Sequence, residues 1–118
     1  MRPARKINAD DAERFVAIKS LGCVACLKLK LPMQCGPTEA HHLLSGGRRR
    51  GHQQSIPLGA WHHRGVIWYS MNSTQMEDQF GPSLARGSKR FHEAFGSDDE
   101  LLEEVNRLIS GVSMRRDL

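Results

Sequence analysis

A chain of 118 residues with a formal net charge of +4 and a pI near 9.3 fits one domain with a modest core, near the size at which a structural metal adds noticeably to stability. No apolar run reaches the length of a membrane span, and the start, MRPARKINADD, lacks the apolar centre of a signal peptide, so a membrane protein is excluded and a cytoplasmic one expected. The charge is uneven: residues 1–64 carry 11 basic and 4 acidic side chains, the remainder 6 and 9, which suits a front that faces a polyanion and an acidic back.

Residues 1–7 show no periodicity and read as a loose basic arm. Asn8 or Asp10 then caps a helix of about three turns. Its first turn is acidic, Gly22 ends it, and Phe15, Val16 and Ile18 are expected to pack inward. Cys23 and Cys26 follow at the spacing with which a tight turn grips one tetrahedral ion. Free semi-buried thiols or a redox pair are the other readings, but the nearby Cys35 favours zinc, and an odd cysteine count argues against a disulfide framework.

The stretch from Thr38 to Gly65 holds five of the six histidines, four of them in two doublets. Residues Glu39 to Leu44 and Ser55 to Leu58 read as an antiparallel hairpin joined by SGGRRRG, a flexible basic loop suited to phosphates. GAWHHRG then forms a short helix closed by Gly65. After it, VIWY is a further strand or core packing, with Trp61 and Trp68 both assigned to the core.

Helices are expected over Ser73–Phe80 and Ser88–Phe95, with serine caps and with Gly81 and Gly96 as stops. The last spans 97–111: Ser97 and Glu100 form a capping box, Leu101, Leu102, Val105, Leu108 and Ile109 make an apolar stripe, and Gly111 closes it. His52 and His92 read as exposed histidines or secondary phosphate contacts.

Geometry divides the doublets. Adjacent residues on a helix diverge by about 100 degrees and on a strand point to opposite faces, so neither doublet can easily serve one ion twice. One ion is therefore expected on Cys23, Cys26 and one late histidine, and a second on His41 and the other, with the remaining strand histidine beside the substrate phosphate.

TEAHHLL, a glycine-rich loop and HQQSIPLGAWHH, preceded by Cys-x-x-Cys, resemble the HNH endonucleases, whose site is a ββα-metal unit. The resemblance implies an α+β fold with a small ββα-metal core over 23–65, a zinc knuckle and flanking short helices. It makes His42 the general base, Gln54 the residue that orients it, and His41 and His63 the ligands of the catalytic ion. Structural zinc would use Cys23, Cys26 and His62. The position where the family usually has a further cysteine is Gly59, which leaves Cys35 or a water to complete the set.

More of the chain, through FGPSLARGSKRFHEAFGS to the terminal helix, resembles the RecA-dependent nucleases of phages that enhance recombination. That likeness implies DNA as substrate and a RecA filament as partner. Magnesium is the expected catalytic ion, although two imidazoles also suit manganese, nickel or zinc. Arg48, Arg49, Arg50, Arg64, Lys89 and Arg90 are the expected phosphate contacts, positioning DNA without reading its sequence. A zinc-stabilised binding module without catalysis uses the same cysteines and arginines, but it leaves His41, His42 and His63 unexplained.

Overall fold

A computed structural model of the protein describes residues 6–116, with side chains through Gly111; residues 1–5, most of the expected basic arm, lie outside the described residues. The architecture is α+β. Helix α1 spans Ala9–Leu21 and α2 Val24–Leu29, followed by strands β1 (Thr38–His42), β2 (Leu44–Ser45), β3 (Arg48–Arg49) and β4 (Ser55–Gly59). Helices α3 (Ala60–Arg64), α4 (Ser73–Phe80), α5 (Ser88–Phe95) and α6 (Asp98–Arg116) complete it, with one 3-10 turn at Leu84–Arg86. No helix among the described residues is long and apolar enough to cross a membrane.

Helix α1 begins at a capping box in which the Asn8 side chain accepts from the Asp11 amide at 2.8 Å and Asp11 accepts from the Asn8 amide at 3.2 Å. Its inward stripe is Asp11, Phe15 and Ile18, at i, i+4 and i+7. Val16, expected inside, lies off that stripe and is 68% exposed. Asp11 is buried because it also accepts from the Gln53 side chain at 2.8 Å, which ties α1 to the segment before β4.

Strands β1 and β4 pair antiparallel, with His41 opposite Ile56 and His42 opposite Ser55. β4 is buried throughout, since α1, α2 and α6 all pack against it. Arg14 fastens the same layers, donating to the Ser55 carbonyl at 2.5 Å and to the Asn106 side chain at 2.8 Å.

The arginine segment is not the flexible loop expected. Leu43 is fully buried, its amide bonded to the Gln54 carbonyl at 2.9 Å, and beyond it β2 and β3 form a second small hairpin. Its two central residues, Gly46 and Gly47, both have positive φ, 58° and 79°, as a two-residue type I′ turn requires. Backbone freedom at the glycines thus produces a defined turn rather than disorder.

Three further expectations shift. VIWY forms no strand: Tyr69 and Ser70 have φ of 62° and 55°, and Trp68 is 38% exposed, lying against Gly36 instead of entering the core. The caps of α4 and α5 are Asn72 and Gly87, one residue before the serines. The Ser97–Glu100 box starts α6 as read, but the helix continues through Gly111 to Arg116. Glycine inside a helix costs only about 1 kcal/mol, too little to stop one by itself.

Ile18→Ala should lower the unfolding free energy by about 2–4 kcal/mol, whereas Val16→Ala should change it by less than about 0.5 kcal/mol. Denaturant titration of the two variants checks the reassigned face of α1, and equal losses would contradict it.

Candidate metal centre and histidine face

Cys23 lies at the N-cap of α2 and Cys26 in its first turn, so the two thiols face the same side of a tight bend. The bend is held by the Gln34 side chain, which accepts from the Cys23 amide at 2.7 Å. Cys35 follows, its carbonyl accepting from the Trp61 amide at 3.3 Å, which joins the knuckle to the start of α3. All three cysteines are fully buried and reduced.

Their thiols meet His62. Its Nδ1 lies 3.2 Å from Cys23 Sγ, 3.0 Å from Cys35 Sγ and 3.8 Å from Cys26 Sγ, and Cys23 and Cys35 are 4.0 Å apart. Tetrahedral zinc with bonds of about 2.3 Å to sulfur and 2.0 Å to nitrogen would set ligand atoms about 3.6–3.8 Å apart. The four residues fit that ion, their ligand atoms lying within 4.8 Å of one another. Among the described residues, no other group of three or more histidine, cysteine or acidic side chains is gathered in this way.

The His62 tautomer is fixed by its other nitrogen. The neighbour of Nε2 is the Phe80 carbonyl at 2.7 Å, which can only accept, so Nε2 carries the hydrogen and Nδ1 presents a lone pair to the thiols. Phe80, Phe91 and Phe95 surround the ring. Without an ion, burial works to lower the His62 pKa, but hydrogen bonds in which its Nδ1–H donates to the Cys23 and Cys35 sulfurs outweigh it and push it up to about 10, so the Nδ1 lone pair becomes available when a metal displaces that proton. Hydrogen bonds with Cys26 and Cys35 hold the Cys23 thiol far below its ordinary range, while hydrogen bonds with Cys23 and Cys35 and burial push the Cys26 thiol up.

Cys35 stands where the fourth member of the group is needed, and Gly59 leaves room for it. A Cβ at Gly59 would lie 2.4 Å from Cys35 Sγ, so Cys35 fills from an earlier loop the space that a side chain at 59 would occupy.

His63, next along α3, points away to β1. Its Nδ1 donates to Glu39 Oε1 at 2.9 Å, and its ring centroid is 4.9 Å from that of His41. Arg64 grips the same carboxylate in a fork, at 2.8 Å to Oε1 and 2.5 Å to Oε2. The Arg64 hydrogen bond, with that of His63 behind it, holds Glu39 below the usual carboxylate range. Glu39 was not among the expected site residues. It lies two positions before His41 on a strand, and that spacing alone places both on one face. Burial, with the nearby His63, pushes the His41 pKa down to about 4, so its ring is neutral near pH 7.

His42 faces elsewhere. Its Nε2 is 3.0 Å from Nδ1 of His52, and both rings make edge contacts with Phe15 at 5.7 and 5.6 Å. His52, read as an exposed loop histidine, is only 6% exposed. The residue against His42 is thus His52, while Gln54 joins the hairpin through its main chain, accepting from the Leu43 amide. His92 is half-buried and paired with Asp98 at 2.8 Å, and Asp98 acts on His41.

The expected phosphate contacts divide. Arg50 is paired with Asp99 at 2.6 Å, Arg64 with Glu39, and Arg90 with Glu77. Arg48, Arg49 and Lys89 are exposed and make no ion pair among the described residues. Arg49 is close enough to His42 for its charge, second to burial, to lower that histidine's pKa.

Fold and site together define a small α+β protein with a buried Cys3His metal centre and a separate histidine face. The family model described as recombination enhancement, RecA-dependent nuclease matches residues 7–110, which takes in both sites and most of α6. The chain belongs to this family of nucleases. No match was found among curated proteins.

Metal analysis of the purified protein should find about one zinc per chain. Cys35→Ser and Gly59→Ala should each deplete it and lower the melting temperature by about 10 °C or more. Retention of zinc and stability by Cys35→Ser would show that Cys35 is not the fourth ligand.

Proposed function

We propose that the protein is an HNH-type endonuclease that hydrolyses phosphodiester bonds of DNA engaged by a RecA filament, in the cytoplasm of a phage-infected or prophage-carrying cell. The observation that carries this reading is the pair of His41 on β1 and His63 on α3, which face each other at 4.9 Å, with His42 turned the other way on β1 yet near enough to feel the charge of His63. Family membership supports the nuclease activity and the link to RecA.

His42 is the general base. It takes a proton from a water whose oxygen forms the new bond to phosphorus, and the bond from phosphorus to the 3′ oxygen breaks. His41 and Nε2 of His63 are the nitrogens available to a divalent ion, since Nδ1 of His63 is committed to Glu39. Such an ion, magnesium or a metal more at ease with imidazole, supplies positive charge for the phosphate and the departing oxygen. Glu39 orients His63, and Arg64 keeps Glu39 ionised and in place.

Arg49 is the cation best placed for the scissile phosphate, because it lies on the hairpin next to His42 and has no carboxylate partner among the described residues. Arg48 and Lys89 extend the track. Arg50, Arg64 and Arg90 add little to the positive field while their acidic partners neutralise them.

Labelled DNA, with magnesium or manganese and with or without a RecA filament, tests the proposal. Cleavage should require the filament, and His42→Ala should reduce it by about 100-fold or more while preserving fold and DNA binding. Absence of cleavage in every condition would leave a binding module. In a second measurement, the slope of log affinity against log salt should shrink by about 1 for Arg49→Ala and less for Arg50→Ala; equal slopes for both variants would remove the distinction between them.

A further inference from the structure

We infer that His52 is the positioning residue of the catalytic base: it holds His42 in the tautomer that carries its hydrogen on Nε2 and so assigns the base function to His42 Nδ1. The inference rests on the proposed role of His42 as general base.

Two imidazole nitrogens 3.0 Å apart form a hydrogen bond only if one donates and the other accepts. Two arrangements satisfy this with neutral rings. If His52 Nδ1–H donated to His42 Nε2, the lone pair on Nε2 would be used, and the hydrogen of neutral His42 would sit on Nδ1. Neither nitrogen could then accept a proton from water without breaking the contact. If instead His42 Nε2–H donates to His52 Nδ1, the Nδ1 lone pair of His42 remains unused. Of the two, this is the arrangement that leaves His42 a base.

The surroundings suit His52 to this task. Its ring is 6% exposed and packed by Phe15, which also touches His42, so both imidazoles share one apolar wall. The backbone is held as well: the His52 carbonyl accepts from Ser55 Oγ at 2.8 Å, and Gln53 is bonded to buried Asp11. The next turn therefore ties His52 to the strand that lies opposite His42, since Ser55 and His42 are register partners. An orienting side chain must not move with the proton, and this one is braced on two sides.

The contact offers this role to a residue other than Gln54. The sequence position that a family resemblance gives to the orienting residue here spends its main chain on Leu43, and a histidine two residues earlier reaches the base.

The test uses full-length, zinc-loaded protein. His52→Leu keeps the bulk but removes the acceptor, and it should lower the cleavage rate constant about 10- to 100-fold with DNA affinity unchanged. His52→Asn, whose carboxamide oxygen can stand near the position of Nδ1, should recover most of that loss. Nitrogen-15 NMR of the unsubstituted protein, at a pH where His42 is neutral, should show the Nε2–H tautomer for His42; this measurement does not depend on any variant folding. Parent-like cleavage by His52→Leu, or an Nδ1–H tautomer for His42, would overturn the inference. If His42→Ala is inactive while His52→Leu is not, this inference fails and the nuclease reading stands; if His42→Ala cleaves normally, the base assignment fails and the role of His52 falls with it.

Discussion

The contact on which the rest depends is the hydrogen bond from His62 Nε2 to the Phe80 carbonyl. It turns the Nδ1 lone pair toward three buried thiols, and so converts a histidine in the aromatic core into the fourth arm of a metal centre. That centre joins three segments distant in sequence: the turn at the start of α2, the loop bearing Cys35, and α3. The neighbouring bonds point the same way, with Trp61 Nε1 donating to the Gly81 carbonyl at 3.0 Å and Ser83 Oγ donating to the Trp61 carbonyl at 2.5 Å.

Fixing His62 also fixes its neighbour. On a five-residue helix there is little freedom to rotate one side chain without the next, so the direction in which His62 enters the core sets the direction in which His63 leaves it. Glu39 then completes the alignment from β1, and Arg64 from α3 closes around the same carboxylate. Structural and chemical roles are thus divided within one doublet, and the division follows from helix geometry. The strand doublet divides likewise: His41 faces His63, and His42 faces His52.

Much of this was legible in the sequence because local rules and tertiary structure agree there. The strand pairing, the short α3 closed by Gly65, the Ser97–Glu100 box and the meeting of Cys23 and Cys26 with one late histidine follow from spacing and caps, whereas that histidine's being His62 was implied by family resemblance and Cys35 was one of two choices for the fourth place. What was not legible turned on contacts between distant segments. Phe15, Val16 and Ile18 are equally apolar, and only the position of β4 and Gln53 decides that Asp11, not Val16, lies inward. Two adjacent glycines permit disorder or a type I′ turn with equal ease, and the buried Leu43 settles the choice by anchoring the base of the hairpin. His52 was opaque for the same reason, since nothing near it in sequence reveals the apolar wall that Phe15 supplies from α1.

The distribution of charge has a consequence for how such a small protein can hold a polyanion without being disrupted by its own cations. Arg64 and Arg50 stand near the histidine face but are neutralised by Glu39 and Asp99, so the positive potential there falls mainly to Arg48 and Arg49 on the rigid hairpin. A cation carried on a short type I′ hairpin loses little conformational freedom when it meets a phosphate, whereas one on a floppy loop would lose more. The rings of His41 and His42 add no charge of their own near pH 7, and burial, the largest influence on both, keeps them neutral. Positive charge is placed where it can bind, and lone pairs where they can accept protons or metal.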